Sequence, residues 1–203
     1  MAEVERTNVE IKPPDNSVHA EERKQWRSWL EHNHNRTEGV WLVIWKKASG
    51  RAQLTYVEAV EEALCFGWID SKPNKLDEHR SLLWFASRRN GTGWSRINKT
   101  RVEKLIASGQ MMPSGFAKVE LAKADGSWNA LDAVENLEIP KDLAASLASH
   151  KHATEYFEKF PRSVKRSILE WIGNAKTPQT RSKRINETAK MAEVNERANQ
   201  WRK

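Results

Sequence analysis

Apolar positions recur along this chain in two rhythms, one of about four residues and one of about two, and the second fades near residue 127. Trp26, Trp29 and Leu30 share one helical face, so a helix is expected from about Asn16-Ser17 to the break at Asn33-His34-Asn35. Val40 to Lys47 reads as a strand that is apolar on both faces, closed by a turn at Ser49-Gly50. Thr55 and Glu58 have the spacing of a capping box. The helix they open is expected to carry Val57, Val60, Leu64 and Trp68 on one stripe and to end near Gly67. Ser81 to Ser87 predicts a second strand, and a further one around Ile69 to Leu76 completes a hairpin with it. Beyond the loop Asn90-Gly91-Thr92-Gly93, a helix over Ser95 to Ser108 carries Ile97, Val102, Leu105 and Ile106, with Gly109 just past its end. Pro113 starts another, with Phe116 and Val119 facing inward.

Past Ser127 only the helical rhythm continues. Pro140 opens a helix with Leu143 and Leu147, and Ala153, Tyr156, Phe157 and Phe160 follow at helical spacing. Ser163 is placed to cap a helix burying Val164, Ile168, Trp171 and Ile172, and Thr177-Pro178 is an N-cap/N1 pair for a last helix to about Asn195. The expected fold class is α+β: a small antiparallel sheet packed with helices, followed by an all-helical C-terminal region. The expected organisation is a flexible lead-in over 1–14, an α+β domain over 15–126, a linker over 127–139 and a basic helical region over 140–203.

Composition adjusts this picture in three ways. Hydrophobic residues make up only 38% of the chain, but ten Trp and five Phe supply large apolar surfaces that can anchor a core. The single cysteine, Cys65, excludes an intramolecular disulfide, the N-terminus has no apolar leader, and no run approaches the roughly 20 apolar residues of a membrane span. A cytoplasmic location is the expectation. The net charge of +7 sits wholly in residues 140–203, which hold 14 Lys/Arg against 7 acids, while residues 1–139 are balanced at 20 of each. That asymmetry points to an acidic partner for the tail.

Candidate chemistry is sparse. Asn90-Gly91-Thr92-Gly93 lacks the flanking pattern of a nucleotide fingerprint, so no cofactor is expected. His32 and His34 would leave a helix on different faces, and a metal would need a third group such as His79, so no metal site is expected. Cys65 lies between Leu64 and Phe66, where a small buried hydrophobe is the ordinary reading and a Cys–His nucleophile the rarer one. Trp68, Asp70, Arg88, Arg89, Trp94, Asn98 and Arg101 form the candidate ligand-binding set, with Arg96 close in sequence. Guanidinium and indole groups together suit an anionic or aromatic ligand. The same residues also fit a purely structural network in which Asp70 pairs with an arginine and Trp94 fills the core. In the tail, Lys176, Arg181, Lys183 and Arg184 occupy the start of the last helix, where cations oppose the macrodipole, so they are candidates for binding an acidic partner.

Several of these residues sit in ordered motifs: Ala63-Leu64-Cys65-Phe66-Gly67-Trp68-Ile69-Asp70, then Phe85 and Arg88, then Trp94-Ser95 and Asn98, then Gly109, Met111 and Gly115. The tail adds Ala175-Lys176, Thr180-Arg181 and Arg184-Ile185. In this order they resemble the YdeI/OmpD-associated, or bacteriocin-protection, family over roughly residues 20–195. One departure is Ser87, where the family commonly has proline before the arginine. The resemblance implies a link to bacteriocin or antimicrobial-peptide resistance and to an outer-membrane porin, and brings no catalytic mechanism. The leading expectation is a non-enzymatic interaction or ligand-binding protein for an acidic partner or small anionic ligand. Nucleic-acid binding by the basic C-terminal helices is the alternative. A further one is an enzyme on a small anionic substrate, with Asp70 as acid/base and Arg88 as charge stabiliser.

Overall fold

The Pro13-Pro14 pair favours extended backbone in what precedes and follows it, and a short strand β1 (Ser17–His19) forms where the apolar spacing suggested a helix start. Asn16 holds it in place: its side-chain amide donates to the Gly39 carbonyl at 2.9 Å and its own carbonyl accepts from the Trp41 amide at 3.0 Å. Helix α1 (Arg23–Asn33) begins later, behind a reciprocal capping box between Glu22 and Gln25. These elements belong to a computed structural model that describes residues 11–51 and 54–200, so the expected lead-in over 1–14 lies largely outside the described residues.

Strand β2 (Val40–Trp45) follows, then a single 3-10 turn, then helix α2 (Tyr56–Cys65), whose Thr55 hydroxyl accepts from the Glu58 amide as the capping box requires. Strands β3 (Trp68–Lys75) and β4 (Arg80–Ser87) form a hairpin. Asp77 closes its turn by accepting from the amides of His79 and Arg80 at 2.8 and 2.6 Å. The sheet order is β1-β2-β4-β3. Three strands are antiparallel, as expected, and β1 adds to β2 in parallel, so the sheet is mixed. Helices α3 (Arg96–Ala107) and α4 (Pro113–Ala124) come next.

The chain divides into two compact units, one of residues up to Thr92 together with Ile97–Trp128, the other of Gly93–Arg96 and the residues from Asn129 on. In the first, Trp26, Leu30, Leu42, Phe85, Leu64 and Trp68 are fully buried. The indoles of Trp26 and Trp29 stack at 5.2 Å, and Trp26 also meets Phe85 at 5.3 Å, which seats α1 on the sheet. Helix α2 buries a broad arc, Ala59, Val60 and Glu62 to Cys65, while Val57 is 46% exposed and Trp68 belongs to β3. The expected single stripe is displaced because α2 packs on α1, β3 and α4 at once. Ile97 and Phe116 are likewise exposed, and α3 and α4 bury Val102, Leu105, Gly115 and Val119. Gly115 is required by proximity: a Cβ there would collide with the Cys65 carbonyl at the end of α2.

The second unit holds α5 (Asp132–Glu135), α6 (Lys141–Ala148), α7 (Ala153–Lys159), α8 (Arg162–Gly173) and α9 (Pro178–Glu193) around Leu143, Leu147, Phe157, Ile168, Ile172 and Ile185. The stretch read as a linker, 127–139, contains α5, and Glu135 there is tied to Arg166 of α8 at 3.0 Å. Thr177 caps α9 by accepting from the Thr180 amide at 3.1 Å. Among the described residues no helix is long and apolar enough to cross a membrane.

A buried carboxylate joins α1 to α2. Glu62, with 3% of its side chain exposed, takes Arg23 Nε at 2.5 Å and Arg27 Nη1 at 2.7 Å. Arg23 also reaches Glu61 at 3.0 Å and Arg27 the Gln110 carbonyl at 3.2 Å, so the turn after α3 is held as well. Removing one member of a buried ion pair leaves its partners poorly satisfied. Glu62→Ala is therefore expected to cost about 3 kcal/mol, the low end of that range because both guanidiniums keep some solvent contact. Urea denaturation against the parent chain measures it, and a loss below about 0.5 kcal/mol, the level of a surface substitution, would contradict the assignment.

Candidate functional site

The residues expected to bind a ligand include both buried and partly exposed side chains. Trp68 is fully buried and its indole donates to the His34 carbonyl at 2.8 Å, so it is a core residue. Asp70 accepts from the Tyr56 hydroxyl at 2.8 Å. Asn98 accepts from Arg101 at 3.0 Å, and Arg101 lies near enough to Tyr56 for its charge to act on the phenol. Burial first, then the hydrogen bond and charge of Asp70, push that phenol up to about 12, with Arg101 pulling it part of the way back. Asp70, Asn98 and Arg101 thus gather around Tyr56, a residue that the sequence reading did not single out.

Arg88 is buried, its guanidinium donates to the Thr92 carbonyl at 3.2 Å, and burial lowers its pKa to about 10. Its backbone amide donates to the Gly67 carbonyl, whose residue adopts a φ of 77° that glycine tolerates at the end of α2. Arg89 is exposed, and Trp94, buried, belongs to the second unit. Asp70 and Arg88, paired in the enzymatic reading, are each engaged with a different group. In the tail, Arg181 binds Asp142 through two hydrogen bonds of 2.7 and 3.0 Å, and Arg184 donates to the Trp171 carbonyl and lies 5.0 Å over its ring. Lys176 and Lys183 are exposed.

The geometry assembles a different site at the far end of β2 and β4. The register pairs Trp45 with Arg80, and a cavity of about 820 Å³ opens beside them. Its walls include Trp45, Arg51, Lys75, Asp77, His79 and Arg80. Arg80 is 5% exposed and structural: Nε donates to Asp77 at 2.7 Å and Nη2 to the Ile11 carbonyl at 2.8 Å. Burial alone would raise the Asp77 pKa, but hydrogen bonds from Arg80 and from the amides of His79 and Arg80 outweigh it and hold the carboxyl below its ordinary range. Lys46 ties the rim down, donating from Nζ to the Asp77 carbonyl at 2.6 Å.

Beside the Arg80–Asp77 pair, the described residues that line the cavity include two exposed cations, Arg51 and Lys75, and the carboxylate of Glu78. Trp45 supplies the aromatic wall. Its indole donates to Glu21 at 3.2 Å, His19 tilts against it at 5.5 Å, and the Arg51 guanidinium lies 4.2 Å from its ring. An aromatic wall with two exposed cations can hold a small anion by charge and hydrogen bonding. The sequence offered one clue, Trp45 followed by Lys46, Lys47 and Arg51. What was missing was the strand register that brings Lys75 and Arg80 beside them.

Residues 136–195 match the model of the family described as bacteriocin-protection, YdeI or OmpD-associated. Residues 18–118 match a second model, described as a domain of unknown function (DUF8412). The tail motif from Ala175 to Ile185 lies inside the first match, whereas the motif from Ala63 to Asp70 and those up to Gly115 lie in the stretch of the second. No curated protein and no solved structure matches the chain.

Two protons in the first unit are held more tightly in the folded chain than out of it. Burial, with the charge of Glu62, pushes the Cys65 thiol from its ordinary 9.0 up to about 11, against the pull of Arg27, and Tyr56 rises to about 12. A raised folded pKa contributes stability that is complete below the unfolded pKa and is lost as pH rises towards the folded one. Urea midpoints are therefore expected to fall from about pH 9 upward, and Cys65→Ala to flatten the part of the fall between pH 9 and 11. Identical slopes in the two proteins would show that the thiol ionises as readily folded as unfolded.

Proposed function

We propose, from the match of residues 136–195 to the family described as bacteriocin-protection, YdeI or OmpD-associated, that the chain acts in bacteriocin protection as a non-catalytic binding protein for a small anionic ligand. The observation that carries this reading is the cavity at the end of β2 and β4, where Arg51 and Lys75 stand beside Trp45 while Arg80 and Asp77 satisfy each other. A volume of about 820 Å³ falls in the range of small-molecule sites, roughly 300–1,000 Å³. The locked Arg80–Asp77 pair keeps the floor rigid, so little ordering is needed on binding.

The reading differs from the one drawn on Asp70, Arg88 and Trp94 in where the ligand sits, and keeps its chemistry. Arg181 and Arg184 have the side-chain and backbone partners described above, which leaves Lys176 and Lys183 as the exposed cations at the start of α9 and lessens the case for a nucleic-acid or acidic-protein surface there.

Calorimetric titration with citrate and with inorganic phosphate tests the proposal. Saturable binding is expected for at least one of them, weakening as salt rises. The double substitution Arg51→Glu and Lys75→Glu is expected to weaken it at least tenfold while leaving the urea midpoint near that of the parent, since both side chains are exposed. Binding that survives the double substitution would place the anion elsewhere.

A further inference from the structure

The two faces of the sheet carry different chemistry. Phe85 of β4 meets Trp26 of α1 at 5.3 Å, so the face that bears it is packed by a helix. Strand alternation turns Trp84 to the opposite face, and the register sets Trp41 of β2 directly beside it. Their indoles meet edge to face at 5.0 Å and 70°. The Trp84 ring lies where a side chain at position 39 would go, since a Cβ on Gly39 would stand 2.6 Å from two atoms of its six-membered ring. Glycine there lets the ring settle against the backbone just before β2. Both tryptophans are half-buried, so each keeps part of its indole surface outward.

A cation completes the group. The pairing of β3 with β4 shifts register between Asp70 and Pro73, and Lys72 lies in that irregular stretch. Irregularities of this kind re-aim a side chain, and the exposed Lys72 brings its Nζ to 5.5 Å from the centre of the Trp41 ring. Three residues on, Lys75 is exposed on the same edge strand and lines the cavity beside Trp45 and Arg80. The Trp45–Arg80 pair lies on the same face as the Trp41–Trp84 pair, four residues along both strands, or about 13 Å at roughly 3.3 Å per residue. This face therefore runs from an indole pair with one lysine to a cavity with another.

We infer that it binds single-stranded nucleic acid, with bases stacked on the outward surface of Trp41 and Trp84 and backbone phosphates received by Lys72 and Lys75. A polyanion bearing flat rings is the complement of lysines interleaved with indoles. Stacking accepts any base, because every base has a π-face, and is worth roughly tenfold or more in affinity per base. Lysine meets a phosphate as a point charge. A duplex keeps its bases paired inside, so it offers the indoles little to stack. The inference goes beyond the anion-binding reading: the two share Lys75, whereas Trp41, Trp84 and Lys72 lie outside the residues that line the cavity.

Fluorescence anisotropy with the full chain tests it. The probes are labelled oligothymidylate and oligouridylate of about eight nucleotides, within the usual range of site sizes, and a duplex of the same length. Saturable binding of a single strand is expected, at least tenfold tighter than that of the duplex and weakening as salt rises. Either strand supports the inference, and the tighter of the two tells DNA from RNA as the source. Trp84→Ala and Lys72→Glu are each expected to weaken binding at least tenfold. Lys72 is exposed, so its variant is expected to keep the parent's urea midpoint and to decide the matter even if Trp84→Ala fails to fold. Calorimetric phosphate binding by Lys72→Glu is expected to match the parent, which separates this site from the cavity. No binding of either strand, a duplex bound as tightly as a single strand, or an affinity unchanged by Lys72→Glu would overturn the inference.

Discussion

The first unit depends on one carboxylate. Glu62 is placed by α2 where three elements converge, and its two oxygens take guanidiniums from successive turns of α1. A carboxylate in so dry a place is unfavourable alone and is tolerated when fully bonded, so α1 cannot leave α2 without stranding a charge. Arg27 extends the tie to the turn after α3, through the Gln110 carbonyl and the Met112 sulfur. The same network surrounds Cys65 and explains why its thiol keeps its proton: burial and the negative charge of Glu62 act in one direction, against Arg27. Packing then follows from position, with Trp26 and Trp29 of the same helix carried onto the sheet and the β3 strand.

What the sequence disclosed was local, and what it withheld was long-range. Thr55-Glu58, Thr177-Pro178 and Pro113 mark helix starts by groups within one turn of the backbone, and each opens a helix where expected. The hairpin of β3 and β4 was legible from apolar runs and the polar segment between them. Strand β1 was not, because three residues carry no period and their pairing is set by Asn16 reaching Gly39 and Trp41. The exposed Val57, Ile97 and Phe116 have the same origin: periodicity says that a helix has an apolar side, and only the neighbours decide which side is covered.

The candidate site repeats that lesson in its chemistry. Sequence proximity joins Asp70 and Arg88, and the fold gives Asp70 the Tyr56 hydroxyl and Arg88 the Thr92 carbonyl. The residues that line the cavity come from β2, the bend after it, the adjoining ends of β3 and β4 and the turn between them, and they meet through the Trp45–Arg80 register. Arg80 is buried and bonded to the half-buried Asp77, whereas Arg51 and Lys75 are exposed.

Strand order also governs the chain as it leaves the ribosome. β2 is apolar along its length, and among the described residues its neighbour from the preceding chain is the three-residue β1. Its long antiparallel partner, β4, emerges after α2 and β3 have both passed. Throughout that interval one edge of β2 is open, the condition in which nascent strands pair with strangers. Lys46 and Lys47 follow the strand immediately, two charges where aggregation of a sticky segment is most readily discouraged. In the finished fold Lys46 donates from Nζ to the Asp77 carbonyl and so clasps the end of β2 to the turn between β3 and β4.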